Sequence, residues 1–176
     1  MKLKLNIYDV ACIGMWAAMS FAVKIILAPV ANIELVSLLL CTFTVVMGLE
    51  RGVLTAVIFT TITVFESAYY GTGDWILLYY INFSLLAVVS RVFLRSGENE
   101  IRAALLLGLF GLLFDVPSAA IKLFLFGPVY AFSYLISGIP FDIIHGAANF
   151  VSALFLYKPI CAALYKLRNN ITKRSM

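Results

Sequence analysis

Long runs of apolar residues, interrupted only by short polar segments, make up nearly the whole chain. A helix needs about 20 residues to cross the hydrocarbon core of a bilayer, and six runs approach or reach that length. None shows the strict alternation of apolar and polar residues that is typical of a membrane β-barrel. The sequence therefore predicts six transmembrane helices, at residues 10–30, 35–49, 52–70, 75–94, 103–126 and 140–164.

Composition supports the same class. The 176 residues are 63% hydrophobic and 12% charged, with a mean hydropathy of +1.02, which is too apolar for a water-soluble domain. We therefore predict that residues 1–176 form a single all-α integral membrane domain.

The opening segment MKLKLNIYDV resembles the start of a secretory signal, but the apolar pattern continues beyond it, so we interpret it as leading into the first span. The three cysteines each lie in an apolar run and predict buried thiols.

The basic residues that flank the spans predict the orientation of the chain. The three connections PVANIE, GTGD and GPVYAFSY contain no Lys or Arg. By the positive-inside rule, the opposite side is cytoplasmic, and both termini lie there. The net charge of +4 then reflects topology and contact with anionic lipid, without any role for nucleic acid. The basic residues on the predicted cytoplasmic side include Lys2, Lys4, Arg51, Arg95, Arg102, Lys166, Arg168, Lys173 and Arg174.

Polar and ionisable residues are concentrated in the predicted outer halves of the spans, and the inner halves are nearly free of buried charge. A charge at membrane depth costs about 2.5–3.5 kcal/mol on insertion scales, so such residues usually face each other or a wet cavity. We therefore predict a polar pocket that opens outward. The alternative is a set of interhelical pairs that lock the bundle. The residues concerned are Lys24, Glu34, Glu66, Asn82, Asp115, Lys122, Asp142, His145 and Asn149.

Spacing along two spans adds detail to this prediction. Asp142, His145 and Asn149 are three and four residues apart, which places them on one face of a helix. In the first span, Gly14, Ala18 and Ala22 recur every four residues and form a ridge of small residues, which lets another helix approach closely or packs within the bundle.

Aromatic residues crowd the outer side, as an interfacial belt or as a stacking surface for a flat ligand. Tyr70 and Trp75 are among them. Ser137 stands near His145, but no hydrolase, zinc or phosphate-binding pattern surrounds it, so we predict no enzyme activity, no cofactor and no metal site.

Three features together resemble one known family: the Ala18-x-x-x-Ala22 ridge, the segment NIELVSLLL before the second span and GIPFDIIHGAANF at the sixth. The chain resembles the substrate-binding S components of energy-coupling factor (ECF) vitamin transporters. The resemblance implies a subunit in a prokaryotic plasma membrane that captures a vitamin from outside. It also implies docking through the first helix, at Gly14, Ala18 and Ala22, onto a transmembrane coupling subunit driven by two ATPase subunits.

The resemblance also implies a ligand site at the outer ends of the helices. With the aromatic residues, the candidate ligand-binding residues are Asn32, Glu66, Tyr70, Trp75, Asn82, Asp142, His145 and Asn149. The segment IPFDIIH resembles the cobalamin-specific branch, and pantothenate, a pyrimidine or a queuosine precursor are the alternative ligands. A different class of function is a structural scaffold similar to MreD, in which the buried polar residues would only lock helices together.

Overall fold

The computed structural model describes residues 5–71, 73–94 and 99–174, with the side chains of Tyr69, Tyr70 and Arg174 outside the description. This part of the chain is helical and contains no strand, which confirms an all-α protein. The helices are α1 (Ile7–Leu27), α2 (Val36–Met47), α3 (Leu49–Thr63), α4 (Ser67–Tyr70), α5 (Trp75–Phe93), α6 (Glu100–Leu112), α7 (Val116–Phe126) and α8 (Pro128–Arg174), with a 3-10 turn at Val64–Glu66 between α3 and α4.

Four helical segments are long and apolar enough to cross a membrane: Ile7–Leu27, Trp75–Phe93, Glu100–Phe126 and Pro128–Lys173. Together with the absence of strands from the described residues, they make this an all-α membrane protein. The predicted span at 35–49 corresponds to α2, which has only 12 residues and is buried along its whole length. A helix that is surrounded by other helices need not match the thickness of the bilayer, because it does not face lipid.

The start of the sixth predicted span was wrong. Helix α8 begins at Pro128, not at residue 140, and runs for 47 residues through Pro140 and Pro159. Most of the predicted connection GPVYAFSY is therefore helical, and the turn reduces to Gly127, whose φ of 83° lies in the left-handed region that glycine adopts easily. A proline inside a helix removes one backbone hydrogen bond but does not have to end the helix. At about 1.5 Å per residue, α8 is much longer than a bilayer core is thick.

The fifth predicted span is interrupted near its middle. The helix breaks between Leu112 and Val116, and Pro117 lies in the first turn of α7. Proline suits this position because the first amides of a helix have no intrahelical partner. The break brings Phe114 and Asp115 out of regular helix.

Both described ends of the chain meet at one end of the bundle, together with the turn between α2 and α3. Asn6 caps α1 by accepting a hydrogen bond from the Asp9 amide at 2.8 Å. Arg51 donates from Nε and Nη2 to the Asp9 carboxylate at 2.7 and 2.9 Å. Arg168 donates to the carbonyl oxygen of Val46 at 2.9 Å. We call this the basic end; its cytoplasmic placement stays a prediction, and Lys2, Lys4 and Arg95 lie outside the described residues.

Asp9 corrects one expectation. Its side chain is only 6% exposed, so a buried charge does occur in the half of the bundle that the sequence predicted to be nearly free of one. The two hydrogen bonds from Arg51 make this burial tolerable, because a paired charge loses less on leaving water than an isolated one.

Helices α6 and α8 pack most closely where three glycines meet. A Cβ atom at Gly111 would lie 2.7 Å from the backbone of Gly146, and one at Gly146 would lie 2.9 Å from the carbonyl oxygen of Gly108. Backbone cannot move aside as a flexible side chain can, so the contact depends on glycine. It fixes the position of His145, which precedes Gly146.

We expect Gly111→Ala to lower the free energy of unfolding in mixed detergent micelles by about 1–3 kcal/mol, because the added methyl group forces the two helices apart. Gly14→Ala is the matched control, since a Cβ atom there meets nothing within 4 Å. Equal stability of the two variants would show that the α6–α8 contact is loose.

Candidate ligand-binding site

A cavity of about 460 Å³ lies at the end of the bundle opposite the basic end. We call this the cavity end. The connection between α1 and α2, the 3-10 turn after α3, the start of α5, the break before α7 and the middle of α8 all contribute to its wall. The lining residues are Lys24, Leu27, Ala28, Val30, Ala31, Asn32, Ile33, Glu34, Val36, Glu66, Trp75, Tyr79, Phe83, Phe114, Asp115, Phe141, Asp142 and His145.

One side of the cavity is a continuous set of aromatic rings. Tyr79 lies at its centre, with ring centroids 5.6 Å from Trp75, 5.3 Å from Phe83 and 6.2 Å from Phe114. The Phe114 ring in turn lies 5.0 Å from the His145 ring. Most of these contacts are edge-to-face, a favourable geometry that holds each ring in a defined orientation. The set therefore forms a firm apolar wall.

Two ion pairs join separate elements around the cavity. Lys24 on α1 pairs with Glu66 in the 3-10 turn. His145 on α8 lies 3.2 Å from Glu34, measured from Nε2 to Oε1, and Glu34 also accepts a hydrogen bond from the Ser37 amide at 2.9 Å. Burial opposes ionisation of Glu34, but the hydrogen bonds from His145 and Ser37 outweigh it and hold the pKa of the carboxyl below its ordinary value. Glu34 is therefore a carboxylate.

The other two acidic groups of the cavity are less fully paired. Asp115 accepts a hydrogen bond from the Tyr134 hydroxyl at 3.1 Å. Asp142 forms no hydrogen bond or ion pair among the described residues. Gly138 leaves room for the Asp115 carboxylate, since a Cβ atom at this position would lie 2.5 Å from Oδ2. A third ion pair, between Lys122 and Asp74, ties α7 to the start of α5 beside the cavity.

The structure brings five of the eight sequence-predicted ligand residues together. Asn32, Glu66, Trp75, Asp142 and His145 line the cavity. That they bind a ligand stays a prediction.

The remaining three predicted ligand residues are placed differently. Asn82 and Asn149 do not line the cavity, and the side chain of Tyr70 lies outside the described part of the chain. The face shared by Asp142, His145 and Asn149 therefore reaches the cavity only at its first two members.

Several lining residues were absent from the predicted ligand set. Lys24, Glu34 and Asp115 had the right signal, because each is an ionisable residue placed in the predicted outer half. Tyr79 and Phe114 had only the weaker signal of aromatic residues near a helix end. Ring orientation decides which aromatic side chain lines a cavity, and the sequence does not specify it.

Asn82 has a structural position. It is 1% exposed, and its Nδ2 donates to the carbonyl oxygen of Phe114 at 2.9 Å. Phe114 lies in the break between α6 and α7, where the regular helical hydrogen bonds are interrupted. Asn82 therefore satisfies a backbone group at the break and supports the segment that carries Asp115 into the cavity.

Asn149 is fully buried, and neither its Oδ1 nor its Nδ2 has a hydrogen-bond partner in the described part of the chain. Burying an unpaired amide is unfavourable. We have no physical account of this side chain.

The ridge of small residues faces away from the bundle. Ala18 and Ala22 are exposed, and the space beside Gly14 is open. The opposite face of α1, with Cys12, Ile13 and Ala17, is buried in the core. The ridge therefore does not serve as an internal packing surface.

The described residues contain no group of three or more His, Cys, Asp or Glu side chains that could hold a metal ion. Cys12, Cys41 and Cys161 are free and buried, as predicted. Ser137 is exposed and donates to the carbonyl oxygen of Tyr134 at 3.0 Å.

Comparison with known proteins gives no relative: no protein-family model, no curated protein and no solved structure matches the chain.

We expect Asn82→Ala to lower the free energy of unfolding by about 1–3 kcal/mol, because the Phe114 carbonyl oxygen loses its partner in a buried position. Chemical denaturation in detergent measures this loss, and Asn170→Ala, at an exposed position of α8, is the control. Unchanged stability of the Asn82 variant would show that the Phe114 carbonyl oxygen does not depend on this hydrogen bond.

Proposed function

We propose that the chain is the membrane-embedded substrate-binding subunit of an ECF-type transporter, which captures a vitamin from outside a prokaryotic plasma membrane. The observation that carries the proposal is the cavity of about 460 Å³, which lies at the end of the bundle opposite the basic end. Its volume falls within the range of about 300–1,000 Å³ that is usual for small-molecule sites. Charged groups and an aromatic wall converge on it, which is the pattern of a site that fixes the orientation of a ligand.

The cavity volume bears on which vitamin fits. The resemblance of IPFDIIH points first to cobalamin, but a corrin with its amide side chains and nucleotide is several times larger than pantothenate or a pyrimidine. A cavity of about 460 Å³ favours the smaller ligands. Cobalamin would require the connection between α1 and α2, residues 28–35, to move outward.

The bundle between the cavity and the basic end is filled with apolar side chains. Phe43, Phe59 and Leu86 are at most 1% exposed. A polar ligand cannot pass through such a core unless the helices rearrange. This supports a role in capture, with the rearrangement driven by a separate coupling subunit and two ATPase subunits.

The exposed ridge on α1 supports docking onto that coupling subunit. Without a hydrophobic driving force between helices in lipid, association depends on close packing, which small residues permit. Ala18 and Ala22 are available for such packing because they face out of the bundle.

A scaffold similar to MreD is the second candidate. The ion pairs Lys24–Glu66 and Asp74–Lys122 favour it, since both join separate helical elements and would lock a structural bundle. A lock does not need a cavity, however. Co-purification with a coupling subunit and ATPases supports transport, whereas co-purification with cell-wall synthesis proteins supports a scaffold.

We expect Ala18→Trp to abolish co-purification with the coupling subunit, because the indole holds the partner helix several ångströms away. Ala147→Trp, at an exposed position of α8, is the matched control and should leave the complex intact. Affinity purification of a tagged chain from its native membrane measures both.

Ligand binding by the isolated Ala18→Trp chain should persist, because Ala18 does not line the cavity. Retention of the complex by the Ala18→Trp chain would contradict docking through the ridge. Loss of the complex in both variants would mean that the effect is not specific to the ridge.

A further inference from the structure

We infer that the cavity selects an organic cation: a flat ring compound that carries a protonated or quaternary nitrogen. The inference rests on the proposed function insofar as that function makes the cavity a small-molecule site. It goes further by naming the charge and shape of the ligand.

Acidic residues outnumber basic residues around the cavity. Four acidic residues line it, against the two basic residues Lys24 and His145. The acidic residues outnumber the basic ones even when His145 is counted as a cation. A charge excess in a concave protein site attracts the opposite charge, because the effective dielectric constant near protein is below that of bulk water. The acidic residues are Glu34, Glu66, Asp115 and Asp142.

One carboxylate oxygen of Glu66 lacks a hydrogen-bond donor among the described residues. The Glu66 side chain is only 10% exposed, and Lys24 pairs with its Oε2. Its Oε1 is buried and has no hydrogen-bond partner in the described part of the chain. A buried carboxylate oxygen without a donor is unfavourable. A rotation of the Glu66 side chain toward the cavity would expose this oxygen to an N–H group of a cationic ligand, which would supply the missing donor.

The aromatic wall of the cavity also favours a cationic ligand. The Lys24 ammonium lies over the ring of Tyr79, with Nζ 5.6 Å from the centroid. A cation within about 6 Å of an aromatic face is attracted by the ring quadrupole. The neighbouring Trp75 and Phe114 rings extend the same surface along the cavity. Since Lys24 already lies over Tyr79, a flat cation gains stacking and cation–π attraction at the Trp75 and Phe114 rings, whereas a flat anion would gain only stacking.

An inorganic ion fits the site less well than an organic one. The residues that the structure describes include no group of three His, Cys, Asp or Glu side chains arranged to hold a metal. The four acidic residues of the cavity come from the connection before α2, the 3-10 turn, the break before α7 and helix α8. The same charge balance disfavours pantothenate, which is an anion at neutral pH.

Three pyridine rings of similar size test the charge preference: 1-methylnicotinamide is a cation, nicotinamide is neutral and nicotinate is an anion. Isothermal titration of the full chain in detergent should show 1-methylnicotinamide binding about tenfold or more tightly than nicotinamide, with nicotinate weakest. Equal affinities, tighter binding of nicotinate, or no binding of any ring would each overturn the inference.

Two variants assign the preference to the cavity. Glu66→Gln and Asp142→Asn keep the side-chain shapes and remove one negative charge each, so both should reduce the ratio of cation to neutral affinity by about fivefold or more. Glu100→Gln is the control, because Glu100 pairs with Lys158 away from the cavity. Retention of the full ratio in both cavity variants would overturn the inference.

Failure of this inference is distinguishable from failure of the proposed function. If the cavity prefers neutral or anionic rings, ligand binding and assembly with the coupling subunit both stand. If no coupling subunit is found but the cation preference holds, the cavity remains a cation site in a protein of another function.

Discussion

The cost of placing a carboxylate among apolar helices controls this structure. Each buried acidic group must be paired, hydrogen-bonded or open to a wet space. Asp9 is paired with Arg51, Glu66 with Lys24 and Glu34 with His145. Asp142 has no such partner among the described residues and lies on the wall of the cavity. The positions of the ion pairs and of the cavity are therefore two consequences of one requirement.

The cavity also depends on places where regular helix is given up. The break before α7 brings Phe114 and Asp115 to the wall, and Asn82 satisfies the carbonyl oxygen of Phe114. The glycine contact between α6 and α8 then holds His145 against the Phe114 ring, at 5.0 Å between centroids. Removing either feature would alter the shape of the cavity without changing any charge in it. Backbone geometry thus determines the shape, and the side chains determine the charge.

Much of the fold could be predicted because apolar run length and basic flanks are local properties. The helices and the buried thiols follow from them. The start of α8 could not be predicted, since a proline at position 140 is compatible with either a helix start or a helix interior.

In the site, ionisable residues at one end were predictable, but their partners were not: His145 pairs with Glu34, which lies 111 residues away. Asn82 and Asn149 were predicted as ligand residues from their depth and from the family resemblance, and Asn149 also from the helix face that it shares with His145. None of these features specifies which neighbour a side chain faces.

The proposed function requires that the cavity end of the bundle hold a small molecule. Native mass spectrometry of the chain, released gently from its own membrane, measures this directly. We expect a single non-lipid adduct, bound at one copy per chain and small enough for a cavity of about 460 Å³. Replacing Phe114 or His145 changes the wall of the cavity, so the adduct should then be lost. A chain that appears only at its bare mass, or with lipid alone, would contradict a ligand-binding role for the cavity.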